Sequence, residues 1–204
     1  MICPRRVAGA VLAAALLAGC SGSPAAAPSS LPEPTRSPTY GCVRPDGSSS
    51  PTPCTPQEYQ QSREQAALVE EATAVWRRQF EEERRLTLAG GLASLTPTPE
   101  IEATMADPGK TDLMAILKMQ HDQGITTVKL EDRLTTRWDP TPVDSEALVT
   151  LQGCVDGRGS IHVDRNGKDL GESGIILHRW GFKRVDGKLK MYLDVAEDVT
   201  SCPF

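Results

Sequence analysis

The stretch ILHRWGFKRVDGKLKMYLDVAEDV, residues 176–199, decides the fold. At its centre, Asp186-Gly187 separates two runs in which apolar and polar residues alternate, a strong short-range signal for a β-hairpin. With a two-residue turn there, the predicted cross-strand pairs are Phe182–Met191, Trp180–Leu193, His178–Val195 and Arg179–Asp194. This register places the large aromatic side chains on one buried face and an opposite-charge pair on the other face.

Three more strand signals lie upstream of this hairpin. Asn166-Gly167 predicts a second hairpin within residues 160–170. Apolar residues alternate from Ala147 to Leu151, in a strand that ends at Gly153-Cys154. From residue 125 the apolar period becomes two, and the predicted inward set is Val128, Leu130, Asp132, Leu134 and Trp138, of which Asp132 is the one polar member. Together these segments predict an antiparallel meander of about five strands.

A long helix precedes the strands. Thr55-Pro56-Gln57-Glu58 has the form of a capping box with proline at the first helical position, and Gly90-Gly91 ends the helix. The charged run at residues 81–85 is interpreted as a solvated helix end. The predicted inward face consists of Val69, Ala72, Trp76 and Phe80.

One or two shorter helices are predicted over residues 98–124. Thr111 is a candidate N-cap for a helix over residues 112–123, and Gly124 is its stop signal. The residues predicted to face inward in this helix are Leu113, Ile116 and Leu117.

Residues 1–19 are typical of a secretory signal, with Arg5 and Arg6 before a short apolar stretch. Leu17-Ala18-Gly19-Cys20 then resembles the bacterial lipoprotein box. In that family, the cysteine becomes the first mature residue and carries a diacylglyceryl thioether, so the resemblance implies attachment to the cell membrane, on its extracytoplasmic face, through lipidated Cys20. The alternative is an ordinary signal peptide followed by a chance cysteine.

Residues 20–55 are interpreted as a tether, because nine of the chain's 16 prolines lie between residues 20 and 56. A segment rich in Pro and Ser buries too little apolar surface to offset its ordering entropy. The predicted organisation is therefore a signal peptide over residues 1–19, a tether with a small disulfide loop over residues 20–55, and one α+β domain over residues 56–204.

Beyond Cys20 the chain has four cysteines, for which three pairings are possible. An exported chain sits where disulfides persist, and the favoured pairing joins nearest neighbours, Cys42–Cys54 and Cys154–Cys202. A Cys42–Cys202 bond would instead fasten the tether to the domain. The sequence has neither a Cys-x-x-Cys motif nor a Cys/His cluster, so no metal or cofactor is predicted.

The net charge of −5 over 204 residues gives no general attraction to nucleic acid, and no nucleic-acid partner is expected. No apolar run reaches the roughly 20 residues that cross a bilayer as a helix. The length supports one modest domain with an attached segment.

Helices followed by an antiparallel meander define an α+β arrangement. This order resembles the nuclear transport factor 2-like (cone-shaped, SnoaL-like) fold, which implies N-terminal helices packed on a curved antiparallel sheet of about five strands. Residues 65–204 also resemble a group of exported actinobacterial lipoproteins of unknown function, through Cys154-Val155-Asp156, the Gly167-Lys168 turn, the aromatic strand and Cys202. The chain departs from that group at Gly157-Arg158-Gly159, where a bulky residue or an aromatic is usual.

The resemblance implies that proton-transfer residues, if there are any, lie inside the cone, because enzymes of this fold place an Asp, often with His or Tyr, there. The candidates are Asp132 and His178, predicted to face inward near Trp138 and Trp180. The alternative is that Asp132 marks a bulge or a strand end and that His178 packs at the sheet rim. His162 is predicted to be exposed. No nucleophile elbow, phosphate loop or metal-binding motif occurs in the sequence.

Three functions remain open. The favoured one is a non-catalytic, lipid-anchored, extracytoplasmic module that binds an envelope protein or a small apolar ligand. The second is a small enzyme of the isomerase or hydratase type that uses Asp132 or His178 as general base. The third is a structural component of the envelope. The arrangement of Asp132 and His178 around a cavity discriminates between the first two.

Overall fold

A computed structural model describes residues 39–47 and 49–204, and both the predicted signal peptide and Cys20 lie outside the described residues. The helices of this part are α1 (Pro56–Leu88), α2 (Pro99–Thr104) and α3 (Gly109–Gln123). The strands are β1 (Tyr40–Cys42), β2 (Thr52–Cys54), β3 (Thr126–Lys129), β4 (Arg133–Asp139), β5 (Val149–Asp156), β6 (Ile161–Val163), β7 (Asp169–Glu172), β8 (Ile175–Val185) and β9 (Lys188–Val199).

The described part of the chain is a mixed α+β structure, as predicted, with its strands in three antiparallel sheets. The main sheet has the order β4-β5-β8-β9, the second β3-β6-β7, and β1-β2 form a separate hairpin. The main sheet has four strands and is not closed, so the prediction of a cone built from about five strands is not confirmed.

The single strand predicted from residue 125 is two strands in two sheets. β3 pairs with β6, β4 pairs with β5, and residues 130–132 connect them. The predicted alternation fails in β3, where Val128 is exposed and Thr127 is buried. Asp132 therefore lies between strands, which is the strand-end alternative given above.

Helix α1 has the predicted capping box: the Thr55 side chain accepts from the Glu58 N–H, and the Glu58 carboxylate accepts from the Thr55 N–H. It ends at Leu88, just before Gly90-Gly91, as predicted. Gly91 has φ 84°, and a Cβ there would lie 2.1 Å from the Leu117 carbonyl oxygen, so only glycine allows this close approach of α1 and α3.

Helix α3 differs from its prediction at the start. It begins at Gly109, and the Thr111 hydroxyl donates to Asp107 Oδ1 at 2.7 Å, so Thr111 is not the N-cap. Its inward face is also displaced, because Ile116 is 50% exposed whereas Met114 is buried. The predicted stop is confirmed, with Gly124 in the left-handed conformation at φ 66°.

The β8–β9 hairpin turns at Asp186-Gly187, and its register is as predicted from the turn to Phe182–Met191. A β-bulge follows, after which Trp180 pairs with Asp194, Arg179 with Val195 and His178 with Ala196. The predicted partners beyond the bulge are wrong by one residue. A one-residue shift sends each side chain of the outer half of β9 to the other face. Accordingly, Val195 is 46% exposed, and Arg179 binds Asp139 at 2.9 Å instead of Asp194.

Two disulfides join Cys42 to Cys54 and Cys154 to Cys202, the pairs favoured from the sequence. The first closes the β1-β2 hairpin, which packs on α1 through a Tyr40–Tyr59 ring contact and a hydrogen bond from Ser62 to the Val43 carbonyl. The second ties the end of β5 to the C-terminal segment. Over the described ranges, no helix has both the length and the apolar composition required to span a membrane.

Candidate functional site

A cavity of about 310 Å³ lies between α1 and the main sheet, bordered by α3 and the loops around the second sheet and open to solvent on one side. Its wall is mostly apolar, and its polar side chains come from α1, α3, β8, β9, the connection between β3 and β4, and the loops that contain Ser160 and Ser173. A mostly apolar cavity with a few converging polar groups is the usual form of a small-molecule site.

Three aromatic rings form one wall of this cavity. Trp76 stacks on Phe80 and contacts Trp180, each with ring centroids 5.3 Å apart. The Trp180 indole lies against Gly153 of β5, where a Cβ would be 2.3 Å from the ring, so glycine is required for the close approach. Trp138 lines other surface grooves and not this cavity, contrary to the prediction that it lies beside the candidate site.

Asp132 lies in the cavity wall with both carboxylate oxygens engaged. Arg84 of α1 binds one oxygen at 2.7 Å, and the Ser160 hydroxyl donates to the other at 3.0 Å. These bonds fasten α1 to the connection between β3 and β4. Because both oxygens already accept hydrogen bonds from the protein, Asp132 is a poor candidate for a general base.

His178 also lies in the cavity wall, where it pairs with Asp194, a residue predicted to lie on the other face of the sheet. Its Nδ1 is 2.9 Å from Asp194 Oδ1, and its ring stacks on Trp180 with centroids 5.2 Å apart. Asp194 reaches the cavity because the bulge in β9 moves it to the inner face. The alternation-based register had placed it on the outer face.

Glu83 is the acidic group in this cavity that has neither a hydrogen bond nor an ion pair with the described residues. Its carboxyl is half-buried, and it lies on α1 one turn after Gln79 and Phe80. Burial raises the pKa of Glu83 to about 7; the negative charge of Asp194 adds to this increase, and His178 opposes it.

Two glutamine side chains in the wall have polar ends without partners in the described chain, Gln79 Nε2 and Gln120 Oε1. Gln79 is only 1% exposed, and its amide is within 2.9 Å of the Thr104 hydroxyl. That hydroxyl has a single hydrogen and also lies 2.7 Å from the Glu100 carbonyl. In either orientation of the Gln79 amide, one end is therefore hydrogen-bonded to Thr104 and the other has no partner among the described residues.

The structure therefore brings the two predicted candidates, Asp132 and His178, to one cavity, whereas the sequence analysis missed Glu83, Asp194 and Gln79. His162 is outside this group and is half-buried, not exposed as predicted, because its ring bonds Thr127 at 2.9 Å and Ser173 at 2.7 Å.

No His, Cys, Asp or Glu side chains in residues 39–47 and 49–204 form a group of three or more that could hold a metal ion. Searches of protein-family models, curated proteins and solved structures give no match to this chain.

The Glu83 carboxyl makes stability depend on pH. Its pKa lies above the unfolded value of 4.5, so the native state binds the extra proton, and the stability it confers declines as pH rises from about 4.5 to about 7. We expect Glu83→Gln to match the wild type near pH 4.5. At pH 8 it should be more stable by about 2 kcal/mol, because the amide carries no charge to desolvate and the half-buried carboxylate keeps part of its hydration.

Urea unfolding of both proteins at several pH values measures this difference. The ionisable groups that face Glu83 across the cavity, Asp132, His178 and Asp194, are present in both proteins, so the two proteins differ only at residue 83. Glu81→Gln, on the exposed side of the same helix, is the control and should give no pH-dependent difference. An equal gain for Glu83→Gln at pH 4.5 and pH 8 would contradict the assignment.

Proposed function

We propose that this chain is a lipid-anchored, extracytoplasmic module that binds a small molecule in the cavity between α1 and the main sheet, without catalysing a reaction. The observation that supports binding is the cavity itself, where a polar end of the buried Gln79 and the Glu83 carboxyl lack partners among the described residues, beside an aromatic wall. Of the two partners left open by the sequence, an envelope protein and a small ligand, this cavity favours the small ligand.

The location is proposed from the sequence. Leu17-Ala18-Gly19-Cys20 after two arginines supports lipidation, and the proline-rich segment that follows supports a tether. We also infer a distant relation to the nuclear transport factor 2-like fold and to the exported actinobacterial lipoproteins. This is supported by helices that precede an antiparallel sheet and by a cavity between the two layers.

Lipidation is tested by detergent-phase partitioning of the full chain made in a bacterial host. We expect the wild type to enter the detergent phase and Cys20→Ser to remain in the aqueous phase, because the serine variant has no thiol to acylate. Cys3→Ser, which changes a cysteine within the signal segment, is the control and should partition like the wild type. Recovery of both wild type and Cys20→Ser in the aqueous phase would refute the anchor.

Ligand binding is tested by screening a fragment library with ligand-observed NMR against a variant whose cavity is blocked. Gly174 lines the cavity, and a Cβ added there meets no atom within 4 Å. Gly174 is an exposed residue at the rim, so Gly174→Leu places a bulky side chain at the cavity entrance without a clash, and Gly174→Ala is its control. We expect fragments that bind the wild type and Gly174→Ala and are lost in Gly174→Leu. Equal binding by all three proteins would place the ligand site elsewhere.

The alternative is a small isomerase-type or hydratase-type enzyme. It is favoured by the convergence of Asp132 and His178 in one cavity with Glu83, a carboxyl whose pKa is raised to about 7 and which could accept a proton near neutral pH. The engagement of Asp132 by Arg84 and Ser160 counts against its use as a base. Exchange of carbon-bound hydrogen for deuterium in a bound fragment, lost in Glu83→Gln, would support the enzyme over the binding module.

A further inference from the structure

We propose that the cavity binds a small organic cation, a protonated amine carried on a compact apolar body. This inference rests on the ligand-binding function proposed above and adds the chemical class of the ligand. It depends on the balance of charge, on the aromatic wall and on the size of the space.

The charge balance leaves one carboxyl without a countercharge. Three acidic side chains line the cavity, and two of them have a basic partner: Asp132 binds Arg84 at 2.7 Å, and Asp194 lies 2.9 Å from His178. Glu83 has no such partner within the described chain. A bound cation would supply the missing countercharge, whereas a bound anion would add a fourth negative group.

The wall next to Glu83 suits a cation as well. Phe80 and Trp76 lie on the same helix, and Trp180 lies opposite, so a ligand near the carboxyl also meets aromatic surface. Aromatic faces attract cations, and indole does so most strongly. The same wall already holds one cation, because the Arg84 guanidinium lies 5.8 Å from the centre of the Phe80 ring.

The buried glutamines add hydrogen-bonding capacity. Gln120 Oε1 is an acceptor and can accept from an ammonium group, whereas Gln79 Nε2 is a donor and can donate only to a water molecule that accompanies the cation. The space of about 310 Å³ corresponds to about ten water molecules of about 30 Å³ each. A ligand of about that many non-hydrogen atoms fits, which is the size of a simple amine on one ring.

The test compares three probes of one shape: cyclohexylmethylamine, cyclohexylmethanol and cyclohexanecarboxylate. Each is titrated into the full chain at pH 8, above the pKa of Glu83, and followed by calorimetry and tryptophan fluorescence. We expect the amine to bind at least tenfold more tightly than the alcohol, and the carboxylate to bind more weakly than either.

The variant Glu83→Gln should reduce this preference of the amine over the alcohol to threefold or less, through weaker binding of the amine. Glu81→Gln, on the exposed side of α1, should keep the full preference. The comparison of probes on the wild type stands even if a variant fails to fold. Alcohol or carboxylate binding as tight as that of the amine would overturn the cation inference and leave the ligand-binding function intact. Failure of all three probes to bind at millimolar concentration would count against both.

Discussion

Replacing both Cys154 and Cys202 by alanine should lower the free energy of unfolding by about 4 kcal/mol. The bond links residues 48 apart, and opening it releases a long loop in the unfolded chain, for which the loop-entropy treatment gives a loss of this size. Small domains have a total stability of about 5–15 kcal/mol, so this bond is a large share of it. Urea unfolding at 25 °C measures the change.

The control is the double variant Cys42→Ala with Cys54→Ala. This bond closes a short hairpin, with a sequence separation of 12, and the core cluster is formed by helices α1–α3 and the main sheet. The hairpin can therefore open locally, and we expect a loss below about 2 kcal/mol. A larger loss for this pair than for Cys154 and Cys202 would contradict the assignment. Peptide mapping without reduction checks the pairing directly, and a linked Cys42–Cys202 peptide would refute it.

The parts of the fold that were predicted from sequence have local signals. The capping box at Thr55, the stop at Gly124 and the turns at Asn166-Gly167 and Asp186-Gly187 each depend on a few adjacent residues, and all four are present. The number of strands in each sheet depends on contacts between distant segments. Residues 125–139 alternate well enough for one strand, yet packing divides them between two sheets.

The bulge in β9 explains why Asp194 was missed. Strict alternation from the turn places it on the outer face, opposite Arg179. The signal that could have corrected this is Met191-Tyr192-Leu193, three adjacent apolar residues that break the alternation. In the structure Tyr192 is the extra residue of the bulge, and its hydroxyl donates to Asp144 beside the sheet.

Glu83 was missed for a different reason. The run of five charged residues, 81–85, is typical of a solvated helix end. Glu83, however, is seven residues after Trp76 and four after Gln79, so helical geometry places all three on one face. The inward face of α1 thus continues through the charged run, and it is this continuation that supplies the unpartnered carboxyl.

Replacing Trp76 by alanine should cost about 3 kcal/mol of folding stability. The indole is 6% exposed and lies between Phe80 and Trp180, with ring centroids 5.3 Å from each. Truncation of a buried Trp typically costs about 3–5 kcal/mol. We expect the lower end of this range, because the indole already borders the cavity and water can enter the space that it vacates.

Trp76→Phe should recover a substantial part of the loss, since a smaller ring still contacts Phe80 and Trp180. Arg77→Ala, the next residue and exposed on α1, is the control and should change stability by less than about 0.5 kcal/mol. Urea unfolding followed by circular dichroism avoids dependence on the tryptophan signal that the substitution removes. Trp76→Ala also enlarges the cavity at the wall opposite Trp180. Its affinity for cyclohexylmethylamine should therefore fall along with its stability. A stability loss below about 1 kcal/mol would mean that the three rings do not pack as a unit, and the cavity would then lack the aromatic wall on which cation binding depends.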